Sequence, residues 1–392
     1  MSPLAHDIDD LLPALTELRH HLHRHPELGR AEFRTSALIA EELRALGLDV
    51  ATGVGGTGVV GILKNGVSDR AIGLRADMDA LPIQEATGAP YSSLTPGIFH
   101  GCGHDGHMTM LLGAARHLAR TRRFDGTVVF IFQPAEEGLA GARAMLEDGL
   151  FERFPVDEVY ALHNWPDLPA GEVETRAGPI MAAADRVDIE VTGRGGHAAQ
   201  PQATPDAILA ASELVGQLNT IIARRIAPTE SAVLSVTRIE GGHTHNVLPA
   251  RVNLTGTVRS FDAAVQDRIE ASIRKVAAGV ALGSETAIDV SYDRYYPATI
   301  NNAAAAHYAL AAARQVATAI RAAPQPSFAS EDFAFMLQRR PGAYIWLGQR
   351  RGDEEAPLHH PFYDFNDAVI GLGVALHTAL AENRLSAPRI HA

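Results

Sequence analysis

Cys102 is the only cysteine among 392 residues, and it stands in the run His100-Gly101-Cys102-Gly103-His104-Asp105-Gly106-His107. A thiolate two positions from an imidazole can place sulfur and nitrogen on one metal ion, and the flanking glycines permit the sharp local backbone that this requires. The competing reading is a buried, inert thiol packed as a small hydrophobe. No apolar neighbour within the octapeptide supports that reading. A second chemical signal is the adjacent pair Glu136-Glu137 in Gln133-Pro134-Ala135-Glu136-Glu137-Gly138. On a turn, neighbouring carboxylates point in different directions, so one can ligate a metal while the other takes a proton from water. A solvated acidic helix start would show the same pair. Its position directly after an apolar strand, with Pro134 and Gly138 shaping the turn, favours the chemical reading.

The elements that must position these groups alternate along the first half of the chain. Ile8 to Leu22 and Ala37 to Leu46 carry apolar residues at helical spacing, and Met108 to Leu118 and Gly141 to Leu150 read as helices. Short, continuously apolar runs at Gly58 to Leu63, Ala71 to Leu74, Thr127 to Phe132 and Val159 to Leu162 read as strands buried on both faces. The predicted class is α/β, with a mainly parallel, helix-covered sheet. Asp77 and Asp79, Gln133 to Glu137, and His163 with Asn164 each follow one of these strands. Ligands of open α/β sheets bind beyond the carboxyl ends of strands, so these loops and the Cys102 loop are expected to converge on one crevice.

The rhythm changes near Asp185. Alternating stretches at Arg186 to Val191, Ala232 to Ile239, Val252 to Val258 and Ala287 to Tyr292 are interleaved with helical patterns at Ala207 to Ile222 and Ile269 to Val280. This predicts an inserted α+β domain with a four-stranded sheet and two helices on one face. The expected boundaries are 1–184 and 296–392 for the catalytic domain and 185–295 for the insertion. The tail adds a helix from Ala303 to Ile320, a strand from Ala343 to Leu347 and a helix from about Asp367 to Leu380.

A net charge of −12 and dispersed basic residues argue against a nucleic-acid partner. No window approaches the roughly twenty apolar residues that span a bilayer, so no membrane partner is expected. The first residues carry no basic region followed by an apolar stretch, and the lone cysteine suits a reducing compartment, so the expected location is cytoplasmic.

Five ordered stretches, Arg75-Ala76-Asp77-Met78-Asp79-Ala80-Leu81-Pro82-Ile83, Cys102 to His107, Gln133 to Glu137, Gly195-Gly196-His197-Ala198-Ala199 and Leu358-His359-His360-Pro361, resemble the M20 metallopeptidase family in order and spacing. The resemblance is to its amidohydrolase branch of hippurate hydrolases, N-acyl-amino-acid amidohydrolases and indoleacetyl-amino-acid hydrolases. It implies two divalent ions per subunit, zinc first, with manganese, nickel, cobalt or iron by availability. Cys102 matches the residue that bridges them, His104 and His163 match ligands of one ion, and Glu137 and His359 match ligands of the other. Glu136 matches the general base and Asp79 an acidic residue that orients the ligands. His197 matches a histidine of the inserted domain that polarises the scissile carbonyl in the partner subunit's site. Asn246 and Arg259 match substrate-binding positions, and Arg259 offers a bidentate fork for a carboxylate.

The implied enzyme is a homodimer, or a tetramer, that cleaves small N-acyl amino acids. A dipeptidase or carboxypeptidase of the same family, and a catalytically silent scaffold, are the alternatives. Other histidines invite comparison. His20, His21, His23 and His25 are read as surface or inter-element hydrogen-bonding groups, His243 and His245 as cleft or loop residues. By spacing alone His107 competes with His104, and His360 with His359; the family pattern selects His104 and His359.

Overall fold

The computed structural model describes residues 7–322, 324–352 and 355–386. The chain divides into two compact units, one of residues 1–180, 300–325 and 332–392, the other of residues 181–299 and 326–331. The first unit contributes strands β1 (Asp49–Val54), β2 (Gly58–Asn65), β3 (Ala71–Asp77), β4 (Gly126–Gln133), β5 (Glu158–Pro169) and β6 (Glu172–Glu174). The second holds β7 (Ala183–Thr192), β8 (Ala232–Glu240), β9 (Arg251–Ser260) and β10 (Ala287–Tyr296). The chain then returns to the first unit with β11 (Ala319–Arg321) and β12 (Gly342–Arg350).

The eight strands of the first unit form one sheet in the order β1-β2-β4-β3-β5-β12-β6-β11. Its four central strands, β4, β3, β5 and β12, run parallel, whereas β1, β2 and the β12–β6 step pair antiparallel. Every residue of β3 is buried, because helices cover both faces at the centre of the sheet. Helices α1 (Leu12–Arg24), α2 (Phe33–Ala45) and α3 (His104–Thr121) belong to this unit. Leu15, Leu111, Phe130, Ile345 and Leu376 meet in its core.

The second unit is a four-stranded antiparallel sheet, β8-β9-β7-β10. Helices α4 (Ala207–Leu218), α5 (Thr220–Arg225) and α6 (Ala263–Ser284) close one apolar core with it, through Leu214, Ile221, Ile273, Ile189 and Leu254. Asp206 and Asp262 start α4 and α6 by accepting two backbone N–H groups each.

Several elements differ from the sequence reading: β1 is a strand that it left out, and the helix expected from Gly141 to Leu150 ends at Glu147. The helix expected to run from Ala303 to Ile320 ends at Val316. The residues after it form β11, whose Ala319–Arg321 backbone pairs with β6, and that pairing outweighs local helix propensity. The long helix expected from Ala207 to Ile222 is divided at Asn219. Among the described residues no helix is long and apolar enough to cross a membrane.

The first helix carries a buried ionic cluster into the core. Asp105 Oδ2 lies 2.8 Å from His23 Nδ1 and 3.3 Å from Arg19 Nη1, all three side chains being buried. His20 and Arg19 both reach Asp367, at 2.8 and 2.7 Å, whereas His21 is exposed, so the histidines of α1 divide between inter-element contacts and the surface. Burial disfavours a charge on His23, and Arg19 adds to that; Asp105 and Glu85 outweigh both and raise His23 to about 9. Tyr91 and His100 complete its surroundings. The folded value lies above that of a free histidine, about 6.5. Stability from this proton is therefore complete below about pH 6.5 and is lost as pH rises through about 9. Chemical denaturation at a series of pH values should show a fall on the order of 3 kcal/mol between pH 7 and pH 10. The His104 ring also holds its proton, up to about pH 10, so the His23 share is read as the difference between wild type and His23→Gln, which should be of that size.

Candidate active site

The residues that the sequence singles out in the first unit meet beyond the carboxyl ends of β3 and β4, beside His163 in the middle of β5, which runs on to Pro169. Gly103 sets the geometry of the Cys102 loop. Its φ of +87° lies in the left-handed region, and a Cβ there would stand 2.3 Å from Asn164 Oδ1. Helix α3 begins at the next residue, earlier than the apolar pattern suggests, so His104 and His107 occupy its first turn. Gly106 lets that turn press against Phe365, whose ring would lie 2.3 Å from an added Cβ.

Cys102 Sγ is 3.5 Å from His163 Nε2 and 3.3 Å from His359 Nε2. His359 Nε2 lies 3.0 Å from Glu137 Oε1, and His104 Nε2 lies 3.9 Å from that oxygen. Two donors about 2.0–2.3 Å from a shared ion at tetrahedral angles stand about 3.3–3.8 Å apart. The observed spacings fall close to that range. His104 Nε2 is buried and has no hydrogen-bond partner among the described residues. His163 donates Nδ1–H to its neighbour's carbonyl, Asn164 O, at 2.7 Å, which leaves the Nε2 lone pair facing the thiol. The donor set of one sulfur, three imidazoles and one carboxylate fits a borderline-soft divalent cation.

Electrostatics point the same way. Burial raises the Cys102 thiol well above its usual range, and Glu137, Glu136 and Asp77 push it further up. A thiolate here needs a cation beside it. Burial and the neighbouring His107 hold His163 neutral, the form that ligates. Burial also opposes a charge on His104, yet Asp77, Asp79 and Glu137 raise it to about 10, so a metal must compete with a proton at this ring.

Asp79 joins the two clusters. Its Oδ1 accepts the backbone N–H of Glu136 at 3.0 Å and its Oδ2 that of Glu137 at 2.9 Å, while Oδ1 lies 3.4 Å from His104 Nδ1. Glu136 is buried beside Glu137, which is partly open. The two pairs of histidines differ in their contacts. His107 Nδ1 lies 2.6 Å from Asp77 Oδ1, and its Nε2 lies 3.1 Å from the Asn164 backbone N and 2.5 Å from Asn164 Oδ1, so both nitrogens have protein partners, although the ring also groups with Asp77, His104 and His163 in a cluster of ligand-type side chains. His359 and His360 are both exposed; His359 Nε2 faces Cys102, whereas His360 Nδ1 accepts the Phe362 N–H. Behind Asp77, Arg75 donates to it at 2.7 Å and spans Gln133 and Asp332.

His197, Asn246 and Arg259 belong to the second unit. His197 pairs with Val247 in a short antiparallel ribbon, and Ala198 N–H donates to Asn246 O at 3.1 Å, so the two residues are neighbours. His197 is exposed, and its Nδ1 accepts the Ala199 N–H at 3.0 Å. Arg259 is half-buried on β9, its Nη1 donating to Val258 O at 3.0 Å, and burial lowers its affinity for a proton.

The model of peptidase family M20/M25/M40 matches residues 73–383. The hippurate hydrolase of Campylobacter jejuni subsp. jejuni is 40% identical over 377 residues, 96% of this chain and 97% of its own length. An N-acetyl-L-cysteine deacetylase of Bacillus subtilis is 38% identical over 365 residues, 93% of this chain and 86% of its own. A solved structure from Bacillus subtilis, a dinuclear metal-binding peptidase of the M20 family, superposes with a TM-score of 0.83 at 33% identity, covering 95% of this chain and 98% of that one. The chain belongs to peptidase family M20/M25/M40 and is a hydrolase of amide bonds.

Proposed function

We propose that the protein is a binuclear metal-dependent amidohydrolase that releases amino acids from small N-acyl amino acids. The observation that carries this reading is the meeting of Cys102, His104, Glu137, His163 and His359 in one cluster beside Glu136, buried at Cys102, His104 and His163 and open to solvent at His359. Relatives that act on hippurate and on N-acetyl-L-cysteine support the substrate class. Cys102 would be the residue shared by two ions, His104 and His163 would hold one, and Glu137 and His359 would hold the other. Zinc suits this donor set, and manganese, nickel, cobalt or iron replace it by availability. The ions would supply Lewis acidity and acidify a water.

The chain supplies proton transfer, orientation and recognition. Glu136 takes a proton from the attacking water and delivers it to the leaving nitrogen. Asp79 fixes the direction of Glu136 and Glu137 through their backbone and orients His104. His197 donates to the oxyanion that develops on the scissile carbonyl. Arg259 and Asn246 bind the substrate, the guanidinium pairing its free carboxylate. The inserted domain, 185–295, acts as lid and dimerisation domain of a cytoplasmic homodimer in which His197 serves the partner subunit's site.

A panel of N-acetyl, N-benzoyl and N-indoleacetyl amino acids, each beside the dipeptide with a free amino terminus, tests the substrate class. The acylated compounds should be turned over at least ten times faster; preference for the dipeptides would make the enzyme a dipeptidase. Glu136→Gln should keep its metal content by elemental analysis and lose about 10²–10⁴ in kcat. Cys102→Ala, in contrast, should lose at least one ion per subunit. For the dimer, Glu136→Ala and His197→Ala subunits, each inactive alone, should regain about a quarter of wild-type activity when dissociated and reassociated together. That fraction follows from random pairing, in which half the dimers are mixed and hold one intact site of two.

A further inference from the structure

Three consecutive backbone N–H groups precede and enter the carboxylate pair, and each has a carboxylate acceptor. Asp79 takes those of Glu136 and Glu137. The third, that of Ala135, donates to Glu32 Oε1 at 2.8 Å. Ala135 has a φ of +54°, a left-handed conformation that costs a residue with a Cβ about 1 kcal/mol and persists only where neighbours impose it. Glu32 is fully buried, and its other oxygen accepts the Thr57 hydroxyl at 2.5 Å. The loop that carries Glu32 packs directly on the turn: a Cβ on Gly29 would stand 3.1 Å from Ala135 Cα, and Arg30 Nη2 donates to Leu139 O at 2.8 Å.

We infer that Glu32 is a positioning residue for the reaction: by holding the left-handed Ala135 it aims the Glu136 carboxylate at the reacting water and the Glu137 carboxylate at its ion. The inference rests on the roles proposed for Glu136 and Glu137. What it invokes is an acceptor oxygen at the right reach. Burial works against the carboxylate's charge, which makes a neutral acceptor a fair substitute. Glu32→Gln keeps the reach and an acceptor oxygen, and Thr57 can accept from the new amide. Glu32→Asp keeps the charge and withdraws the oxygen by one methylene, about 1.5 Å.

The two variants are compared as metal-loaded enzyme, with kcat and KM for an N-acyl amino acid and with the chelator concentration that removes half the bound metal. Glu32→Gln is expected within threefold of wild type in every quantity. Glu32→Asp is expected to lose at least tenfold in kcat with KM changed less than threefold, and to release metal at an at least fivefold lower chelator concentration. Wild-type kcat and chelator midpoint in a folded Glu32→Asp would overturn the inference, as would losses in Glu32→Gln equal to those in Glu32→Asp. If Glu32→Asp does not fold, Thr57→Val, which frees Glu32 Oε2 without touching the turn, decides: a two- to fivefold fall in kcat supports the inference and an unchanged kcat overturns it. Glu136→Gln is measured alongside. Its full activity would sink the assigned base itself, an outcome separate from any result at Glu32.

Discussion

One carboxylate, that of Asp79, links the parts of the site that the chain supplies from distant places. It receives the Glu136 and Glu137 N–H groups that follow β4 and faces the His104 ring at the start of α3. Asp79 itself follows β3, so three elements are tied at one buried point. Two parallel neighbours in the sheet, β3 and β4, make this possible, because parallel strands present their carboxyl ends on the same side. Hydrogen bonds to an ionised acceptor are about twice as strong as neutral ones, and here two of them fix the backbone of a turn rather than a flexible side chain.

The same crowding creates an electrostatic problem that the fold answers with imidazoles, amides and cations. Asp77, Asp79, Glu136 and Cys102 are all buried, and Glu137 nearly so. Asp77 is compensated by His104, Arg75 and His107, and burial alone would raise its pKa rather than lower it. Burial, Glu137, Glu136 and Asp77 all disfavour a charge on Cys102. A thiolate at this place would be stabilised by a cation between the thiol, Glu137 and the histidines. Left-handed backbone at Ala135, Ala140 and His359 shows where side chains are aimed by the surrounding structure against local preference.

Much of this was legible in the residues. Apolar runs located the central strands, and placing Asp79 and Glu137 just after β3 and β4 predicted one crevice, because strand ends are where parallel sheets leave room; His163, read as following its strand, lies within β5, which continues to Pro169. Segments whose state depends on remote pairing were less legible. Ala319–Arg321 is a strand only because Glu172–Glu174 lies beside it. His107 illustrates the limit at the site: its spacing from His104 is that of a second ligand, yet Asp77 and Asn164 occupy both of its nitrogens. Glu32 gave no signal at all, since an acidic residue 103 positions from Ala135 reads as surface until its burial is known.

The sequence by itself determined which chemistry is possible: the lone thiol among imidazoles, the paired carboxylates after an apolar strand, and the glycines at Gly103 and Gly106 without which that loop could not close. Local covalent preferences and hydrophobic period are short-range properties, so they can be read along the chain. Tertiary structure alone decided which nitrogen of which histidine is free, that His359 rather than His360 faces Cys102, and that Glu32 and Asp79 hold three successive amides. Those outcomes depend on burial and on angles between groups far apart in sequence, and a hydrogen bond or a ligand position is fixed only when both partners are in place.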